Sequence, residues 1–147
     1  MASQDQRLLK ESLDLVSPVA DQLIAAFYHR LFTENPEVRS MFPPVMETQQ
    51  ERLLKAVIAL VTHYDNPEVL RPALTAMGRR HDGYGVTLGH YAAVGGALLA
   101  TLREFAGPAW SPEYEGAWTR AYTFAAGTMM QAGALVEAEE AAEQLAA

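Results

Sequence analysis

A histidine at the end of an apolar stripe is the strongest candidate for chemistry in this sequence. The stripe advances by four, three and four residues and consists of Leu70, Leu74, Met77 and His81. This spacing places its members on one face of a helix. An imidazole on such a face is costly to bury without a partner. His81 is therefore either a core histidine with a hydrogen bond or a metal ligand, and this stretch alone leaves both readings open.

Two more polar residues lie on otherwise apolar helical stripes. Tyr28 follows Ile24 by four residues on one such stripe, and Gln49 begins the stripe that continues through Leu53. Individually, Tyr28 also fits a core tyrosine bonded to a backbone carbonyl, and Gln49 also fits a first-turn residue near solvent. Together with His81, they predict a common cavity with a metal-binding side and a hydrogen-bonding side.

The elements that must position these residues are all predicted to be helices, because a 3.6-residue apolar period recurs and no alternating pattern is found. Pro72 is predicted to separate a preliminary turn from the helix of His81. The acidic tail is predicted to continue the last helix into solvent. Caps, prolines and periodicity predict helices at about 3–16, from 18 to past 32, at 36–41, 47–62 and 87–105, around His81, and from 111 onward.

Composition restricts the class of protein. The 147 residues are half hydrophobic and a fifth charged, which predicts one soluble domain. A net charge of −7 without a basic cluster argues against nucleic acid or an anionic membrane as partner. The lack of cysteine excludes disulfides, zinc–thiolate sites, iron–sulfur clusters and covalent haem attachment. No signal-peptide core or 18-residue apolar run is present, so a cytoplasmic location is expected.

Four segments resemble the single-domain haemoglobins of bacteria and the globin domain of flavohaemoglobins. They follow the family's order and spacing: FYHRLFTENPEVRSMFP (27–43), QQERLLKAV (49–57), GRRHDGYGVTLGHYAAVG (78–95) and AWTRAY (117–122). The resemblance extends over roughly residues 11–130. It implies a single all-α globin domain over residues 1–147, with six to seven helices around a non-covalent b-type haem.

The resemblance also implies individual roles. His81 matches the proximal iron ligand, Tyr28 the distal tyrosine and Gln49 the distal glutamine. The other residues expected to line the haem pocket are Phe42, Leu53, Val57, Met77, Tyr84, Val86, Tyr91 and Val94. Of these, Phe42 matches the phenylalanine that packs on the haem, Leu53 the apolar wall beside the gas ligand, and Tyr91 the proximal-side tyrosine.

One position departs from the flavohaemoglobin pattern, in which a glutamate joins the proximal tyrosine in supporting the histidine. The corresponding position, counted from Trp118, is Gly133, and Glu137 follows one turn later. We therefore expect a backbone carbonyl, or Tyr91 acting indirectly, to orient His81, which favours reversible binding over peroxidase-like activation. The chain also stops where a flavin- and nicotinamide-binding reductase would begin, so a self-sufficient NO dioxygenase is not expected.

The leading hypothesis is a haem protein that reversibly binds O₂, and also NO or CO, as in oxygen transport, with Tyr28, Gln49 and Leu53 around the ligand. One alternative is an NO dioxygenase that works with a separate reductase, and another is a globin-fold gas or redox sensor. Enzymatic activity and the choice between monomer and homodimer stay open. His29 and His63 are expected at the surface and His90 lies off its apolar stripe, so none is expected to compete with His81.

Overall fold

The computed structural model describes residues 2–146, and within that range the secondary structure is entirely helical. The six α-helices are α1 (Gln4–Val16), α2 (Ala20–Glu34), α3 (Glu47–Thr62), α4 (Pro67–Gly83), α5 (Leu88–Ala106) and α6 (Pro112–Ala146). Short 3₁₀ helices cover Ser17–Val19, Pro36–Met41 and Gly107–Ala109. The predicted all-α class is confirmed, and the acidic tail continues α6 as expected.

Side-chain caps are present at the beginning of α1 and α6, at Ser3 and Ser111, as the sequence predicts. The Ser3 hydroxyl accepts from the Gln6 N–H at 3.1 Å, and the Ser111 hydroxyl accepts from the Tyr114 N–H at 3.2 Å. Such bonds satisfy amide groups that have no partner within the helix. They fix where α1 and α6 begin.

The prediction that Pro72 divides the His81 helix is wrong, because α4 runs without interruption from Pro67 to Gly83. A proline lacks the N–H that would bond the carbonyl four residues earlier, here that of Glu68. Pro72 and Glu68 are both exposed, so water can take the place of the missing donor. The apolar stripe that ends at His81 therefore lies on one unbroken helix.

The main core lies among α1, α2, α3, α5 and α6. Its largest fully buried side chains include Trp118, Phe27, Leu9 and Leu31. The Trp118 indole N–H donates to the Ser12 hydroxyl at 2.8 Å, which satisfies two polar groups that burial would otherwise penalise. Each such large apolar side chain contributes roughly 1.5–3 kcal/mol by burial. This core holds α2, and hence Tyr28, in a fixed position.

α4 crosses α6 at very short range, and Gly78 permits this approach. A Cβ atom at position 78 would lie 2.4 Å from the Met129 carbonyl oxygen and 2.6 Å from its Cα. Any side chain there would therefore force the two helix backbones apart. Since His81 follows Gly78 by one turn, this crossing sets the depth of the histidine in the molecule.

Within residues 2–146, no single helix combines the length and the apolar character required to cross a membrane. The segments Pro67–Gly83 and Leu88–Ala109 meet that test of length and composition only when taken together, and they are bent by 120° at the break between them.

Candidate functional site

His81, Tyr28 and Gln49 meet at one cavity of about 270 Å³ enclosed by α2 to α6. Its lining is overwhelmingly apolar, and it contains ten of the eleven predicted pocket residues: His81, Tyr28, Gln49, Phe42, Leu53, Val57, Met77, Val86, Tyr91 and Val94. The exposed residues Ala59 and Ala73 lie at its rim. The structure therefore gathers residues from distant parts of the sequence around a single concave site.

His81 occupies the last turn of α4 with a defined tautomer. Its Nδ1 lies 2.7 Å from the Met77 carbonyl oxygen. A carbonyl only accepts hydrogen bonds, so Nδ1 carries a proton, and in the neutral imidazole Nε2 then keeps an unshared electron pair. The expected backbone partner of this histidine is thus the carbonyl of Met77. A neutral imidazole oriented in this way is the form that binds a metal ion.

Tyr28 and Gln49 form a hydrogen-bonded pair in the lining of the same cavity. Tyr28 is only 4% exposed, and its hydroxyl oxygen accepts from the Gln49 amide Nε2 at 3.3 Å. Because the hydroxyl acts as acceptor in this pair, its own hydrogen remains available to a ligand. Burial raises the pKa of Tyr28, and the bond from Gln49 offsets part of that increase. The phenol therefore stays protonated at neutral pH.

An aromatic cluster surrounds the Tyr28 ring. The rings of Phe27 and Phe42 both meet it edge to face, with centroid distances of 4.9 and 5.6 Å, and the Phe32 ring lies 5.7 Å away. Edge-to-face pairs are each worth about 0.5–1.5 kcal/mol beyond simple burial. They restrict the Tyr28 ring to one orientation and aim its hydroxyl at the cavity.

Two tyrosines brace the wall of the cavity on the His81 side. The Tyr122 hydroxyl donates to the Tyr91 carbonyl oxygen, which links α6 to α5. Burial raises the pKa of both phenols, and the nearby carboxylate of Asp82 adds to the effect on Tyr91. Both side chains therefore remain neutral at physiological pH and present aromatic surface to the cavity.

Gly133 lies against Asp82, the residue after His81. A Cβ atom at position 133 would be 3.2 Å from Asp82 Oδ1 and 3.3 Å from its Cβ. Glu137, one turn further along α6, is hydrogen-bonded to Asp82, and this contact raises the pKa of Glu137. The glycine thus accommodates a close approach of α6 to the end of the His81 helix. The neighbour of position 133 is Asp82 rather than the imidazole.

Tyr84 is the one predicted pocket residue that the structure leaves outside the cavity. It follows the end of α4 at Gly83, where the chain turns, and its side chain is 65% exposed. Its ring approaches the His81 ring at a centroid distance of 5.9 Å. The direction of the turn after α4 therefore places Tyr84 on the surface beside the histidine.

His90 lines the cavity although its position off the apolar stripe predicted otherwise. The His90 imidazole Nδ1 accepts from the Thr87 backbone N–H at 3.0 Å, and the His90 backbone N–H donates to the Thr87 hydroxyl at 3.4 Å. This is a capping box with histidine in the place of glutamate, and that Thr-x-x-His pattern is the signal that could have identified it. His29 is exposed as predicted, whereas His63 is half-buried in the turn that ends α3.

A larger cavity of about 610 Å³ lies among α1, the beginning of α2 and α3. Its polar lining consists of surface side chains such as Arg7, Lys10 and Asp21. None of His81, Tyr28 and Gln49 contributes to it. Size alone therefore does not identify the functional site, and the chemistry of the lining favours the smaller cavity.

Comparison with known proteins identifies the class of protein that this fold and cavity define. The Globin family pattern matches residues 25–129, and the chain belongs to the globin family. It is 38% identical to a flavohemoprotein of Rhodopirellula baltica over 123 residues, which cover 82% of this chain and 30% of that protein. It is 33% identical to a flavohemoprotein of Chromobacterium violaceum over 133 residues, which cover 88% and 33% respectively. The chain thus spans about a third of these relatives.

Solved structures confirm the predicted globin fold. An engineered carbene transferase, made from a candidate nitric oxide dioxygenase of Rhodothermus marinus, superimposes with a TM-score of 0.83 at 30% identity. The match covers 96% of this chain and 99% of that one. A bacterial globin from Campylobacter jejuni gives 0.80 at 22% identity, covering 92% and 99%, and supports the fold alone.

Globins and flavohemoproteins bind haem, and the cavity residues fit that group. The walls are apolar, and the lining includes both His81, whose Nδ1 is engaged by the Met77 carbonyl, and the Tyr28 hydroxyl. The volume is slightly below the roughly 300–1,000 Å³ usual for ligand pockets. The rim at Ala59 and Ala73 meets solvent, so the edge of a flat cofactor can extend beyond the enclosed space.

Proposed function

We propose that this chain binds b-type haem through His81 Nε2 and reversibly binds O₂, with NO and CO as further ligands. The observation that carries the proposal is the placement of His81, with its proton held on Nδ1, and of the Tyr28–Gln49 pair in one apolar cavity. Bound haem would supply the iron at which diatomic gases are held.

Tyr28 is the residue that selects among those gases. Because the Tyr28 hydroxyl oxygen accepts from Gln49, its hydrogen can be donated to a ligand that carries partial negative charge, as O₂ bound to ferrous haem would. A hydrogen bond to a charged group contributes roughly 1.5–3 kcal/mol, or about 10- to 150-fold in affinity. CO carries little charge, so the same donor favours O₂ over CO.

His81 receives no carboxylate support on its other nitrogen, since the acceptor is the neutral Met77 carbonyl. A carboxylate that accepted the Nδ1–H would make the imidazole more basic. It would thereby increase electron donation from the imidazole to bound haem, which favours cleavage of O–O bonds. The neutral partner supports reversible binding as the main function and gives less support to peroxidase-like chemistry.

NO dioxygenation with a separate reductase is the second candidate function. It is supported by the likeness to flavohemoproteins, of which this chain matches about a third, and by the Rhodothermus marinus structure. In that reaction NO, O₂ and one electron give nitrate, and the reductase is the source of the electron. The same Tyr28 donor would serve both functions, so the cavity geometry alone does not separate them.

Two measurements test the proposal. The haem-reconstituted protein should show a five-coordinate ferrous spectrum and form a stable, reversible O₂ complex under air. Failure to retain haem, or a ferrous spectrum with two protein ligands, would refute the proposal. Nitrate formation from NO, with O₂, a nicotinamide donor and an added flavin reductase, then distinguishes turnover from binding alone.

A further inference from the structure

Arg39 clamps the segment that carries Phe42. Its Nη1 donates to the carbonyl oxygens of Phe42 at 3.3 Å and Pro43 at 2.9 Å, and its Nη2 donates to that of Pro44 at 3.0 Å. The face of the guanidinium lies over the Phe32 ring, 5.1 Å from its centroid. One half-buried side chain thus binds three consecutive carbonyls and one aromatic face.

The 42–44 segment depends on a side-chain donor because it has little secondary structure of its own. The 3₁₀ helix ends at Met41, and Phe42 is extended, with φ −118° and ψ 154°. Pro43 and Pro44 have no backbone N–H with which to form a turn. The N–H of Phe42 bonds the carbonyl of Arg39 at 3.2 Å, so Arg39 holds the segment through both its backbone and its side chain.

The clamp is connected to Tyr28 through aromatic contacts. The Phe42 ring meets the Phe32 ring at 5.3 Å and the Tyr28 ring at 5.6 Å, both edge to face. Phe32 in turn carries the guanidinium on its outer face. A shift of the 42–44 segment would therefore change the packing that fixes the Tyr28 ring.

We propose that Arg39 is a positioning residue that sets the place of Phe42 and, through it, the direction of the Tyr28 hydroxyl. This rests on the proposed function, in which Tyr28 would donate to a gas bound in the cavity that His81 also lines. Lysine cannot replace arginine here, because a single ammonium group has neither the planar fork for three carbonyls nor a flat face for Phe32.

The test uses the full haem-loaded chain and the variants Tyr28→Phe, Arg39→Ala and Arg39→Lys. The control is Arg30→Ala, which removes another half-buried arginine that pairs with Glu34 and Glu104 away from this segment. The readouts are the C–O stretching frequency of the CO complex, which responds to a nearby donor, and the O₂ dissociation rate. Both report on the direction of the hydroxyl rather than on stability.

We expect both Arg39 variants to shift the C–O band in the same direction as Tyr28→Phe and to speed O₂ dissociation roughly 3- to 10-fold, part of the effect of losing the donor. Arg30→Ala should match the wild type. If Arg39→Ala does not retain haem, the C–O band and the O₂ dissociation rate of Arg39→Lys decide whether Arg39 positions Phe42. Wild-type behaviour of Arg39→Lys, with Tyr28→Phe altered, overturns the role of Arg39 and leaves the proposed function intact. An unaltered Tyr28→Phe overturns both the role of Arg39 and the donor role of Tyr28, whereas haem and O₂ binding are tested separately by the spectra described above.

Discussion

Gln49 and Tyr28 act as one hydrogen-bonded unit, in which the amide Nε2 of Gln49 donates to the Tyr28 hydroxyl oxygen at 3.3 Å. This geometry assigns different roles to the two residues. We propose that Gln49 orients the phenol and that Tyr28 donates its remaining hydrogen to a ligand in the cavity. The sequence alone could not distinguish this arrangement from one in which both side chains contact the ligand.

Replacement of Tyr28 by phenylalanine should speed O₂ dissociation about tenfold or more, because one hydrogen bond to a charged ligand is lost. CO dissociation should change much less. Flash photolysis and stopped-flow mixing measure the two rates. Equal acceleration for both gases would mean that Tyr28 acts through packing.

Replacement of Gln49 by leucine should have a smaller effect, about two- to fivefold on O₂ dissociation, because the phenol loses its orientation but keeps its hydrogen. The double variant with Tyr28→Phe should dissociate O₂ no faster than Tyr28→Phe alone, since coupled residues are not additive. Independent, multiplicative effects would instead indicate that Gln49 contacts the ligand directly.

Replacement of His81 by alanine should remove most of the haem. His90 is the other histidine in the cavity lining, and its Nδ1 accepts from the Thr87 backbone N–H. For His90 to replace His81 as the haem ligand, the beginning of α5 would have to rearrange. The pyridine haemochrome assay measures the haem content, with His29→Ala as a surface control. Full haem with an unchanged five-coordinate ferrous spectrum would contradict the assignment of His81.

A glutamate introduced at Gly133 should meet Asp82 rather than His81. Because even a Cβ would lie 3.2 Å from Asp82 Oδ1, we expect Gly133→Glu to lower the free energy of unfolding by roughly 1–3 kcal/mol. The iron–histidine stretching frequency should not change. Gly127→Glu is a matched control, since a Cβ there meets nothing within 4 Å. A raised frequency in resonance Raman spectra would show that position 133 reaches the imidazole.

Stability should depend on pH through Asp5, which accepts two hydrogen bonds from Arg120 at 2.7 and 2.8 Å. That contact is the main reason why the pKa of Asp5 lies below its usual value of 3.8. A carboxylate with a lowered pKa contributes stability above its unfolded pKa and loses that contribution as the pH falls through the folded value.

Asp5→Asn should therefore have a lower urea midpoint than the wild type at pH 7, and the two midpoints should converge below about pH 4. Asp14→Asn, at an exposed position of the same helix, serves as the control. A difference that persists undiminished at pH 3 would show that the carboxylate charge is not its cause.

Periodicity and local caps were sufficient to predict most of the helical frame. The bounds of α3 coincide with the prediction, because its apolar stripe and the preceding prolines define it locally. The prediction at Pro72 was wrong because a proline on the exposed face of a helix destabilises the helix less than a proline in a buried position. Ten of the eleven pocket residues that the family resemblance implied line the cavity. Periodicity by itself had singled out only His81, Tyr28 and Gln49 as polar residues on apolar stripes.

The direction of turns and the contacts of individual side chains were not predictable in the same way. The exposure of Tyr84 depends on the direction of a turn, and the neighbour of Gly133 depends on how closely α6 approaches α4. The clamp of Arg39 requires three carbonyls to face one side chain, which a one-dimensional pattern does not encode. These features emerge only when packing has fixed the relative placement of the helices.

The bond between His81 Nδ1 and the Met77 carbonyl also affects how this protein can evolve or be engineered. A main-chain oxygen is present whatever residue is encoded at position 77, so no single substitution there deletes the acceptor. Under the proposed function, mutations of Tyr28 or Gln49 would thus change gas affinity while the tautomer of His81 stays constant. Stronger electron donation by the His81 imidazole would require a second acceptor that competes with the Met77 carbonyl for Nδ1. Single substitutions can therefore change the Tyr28 and Gln49 part of the cavity more easily than the His81 part.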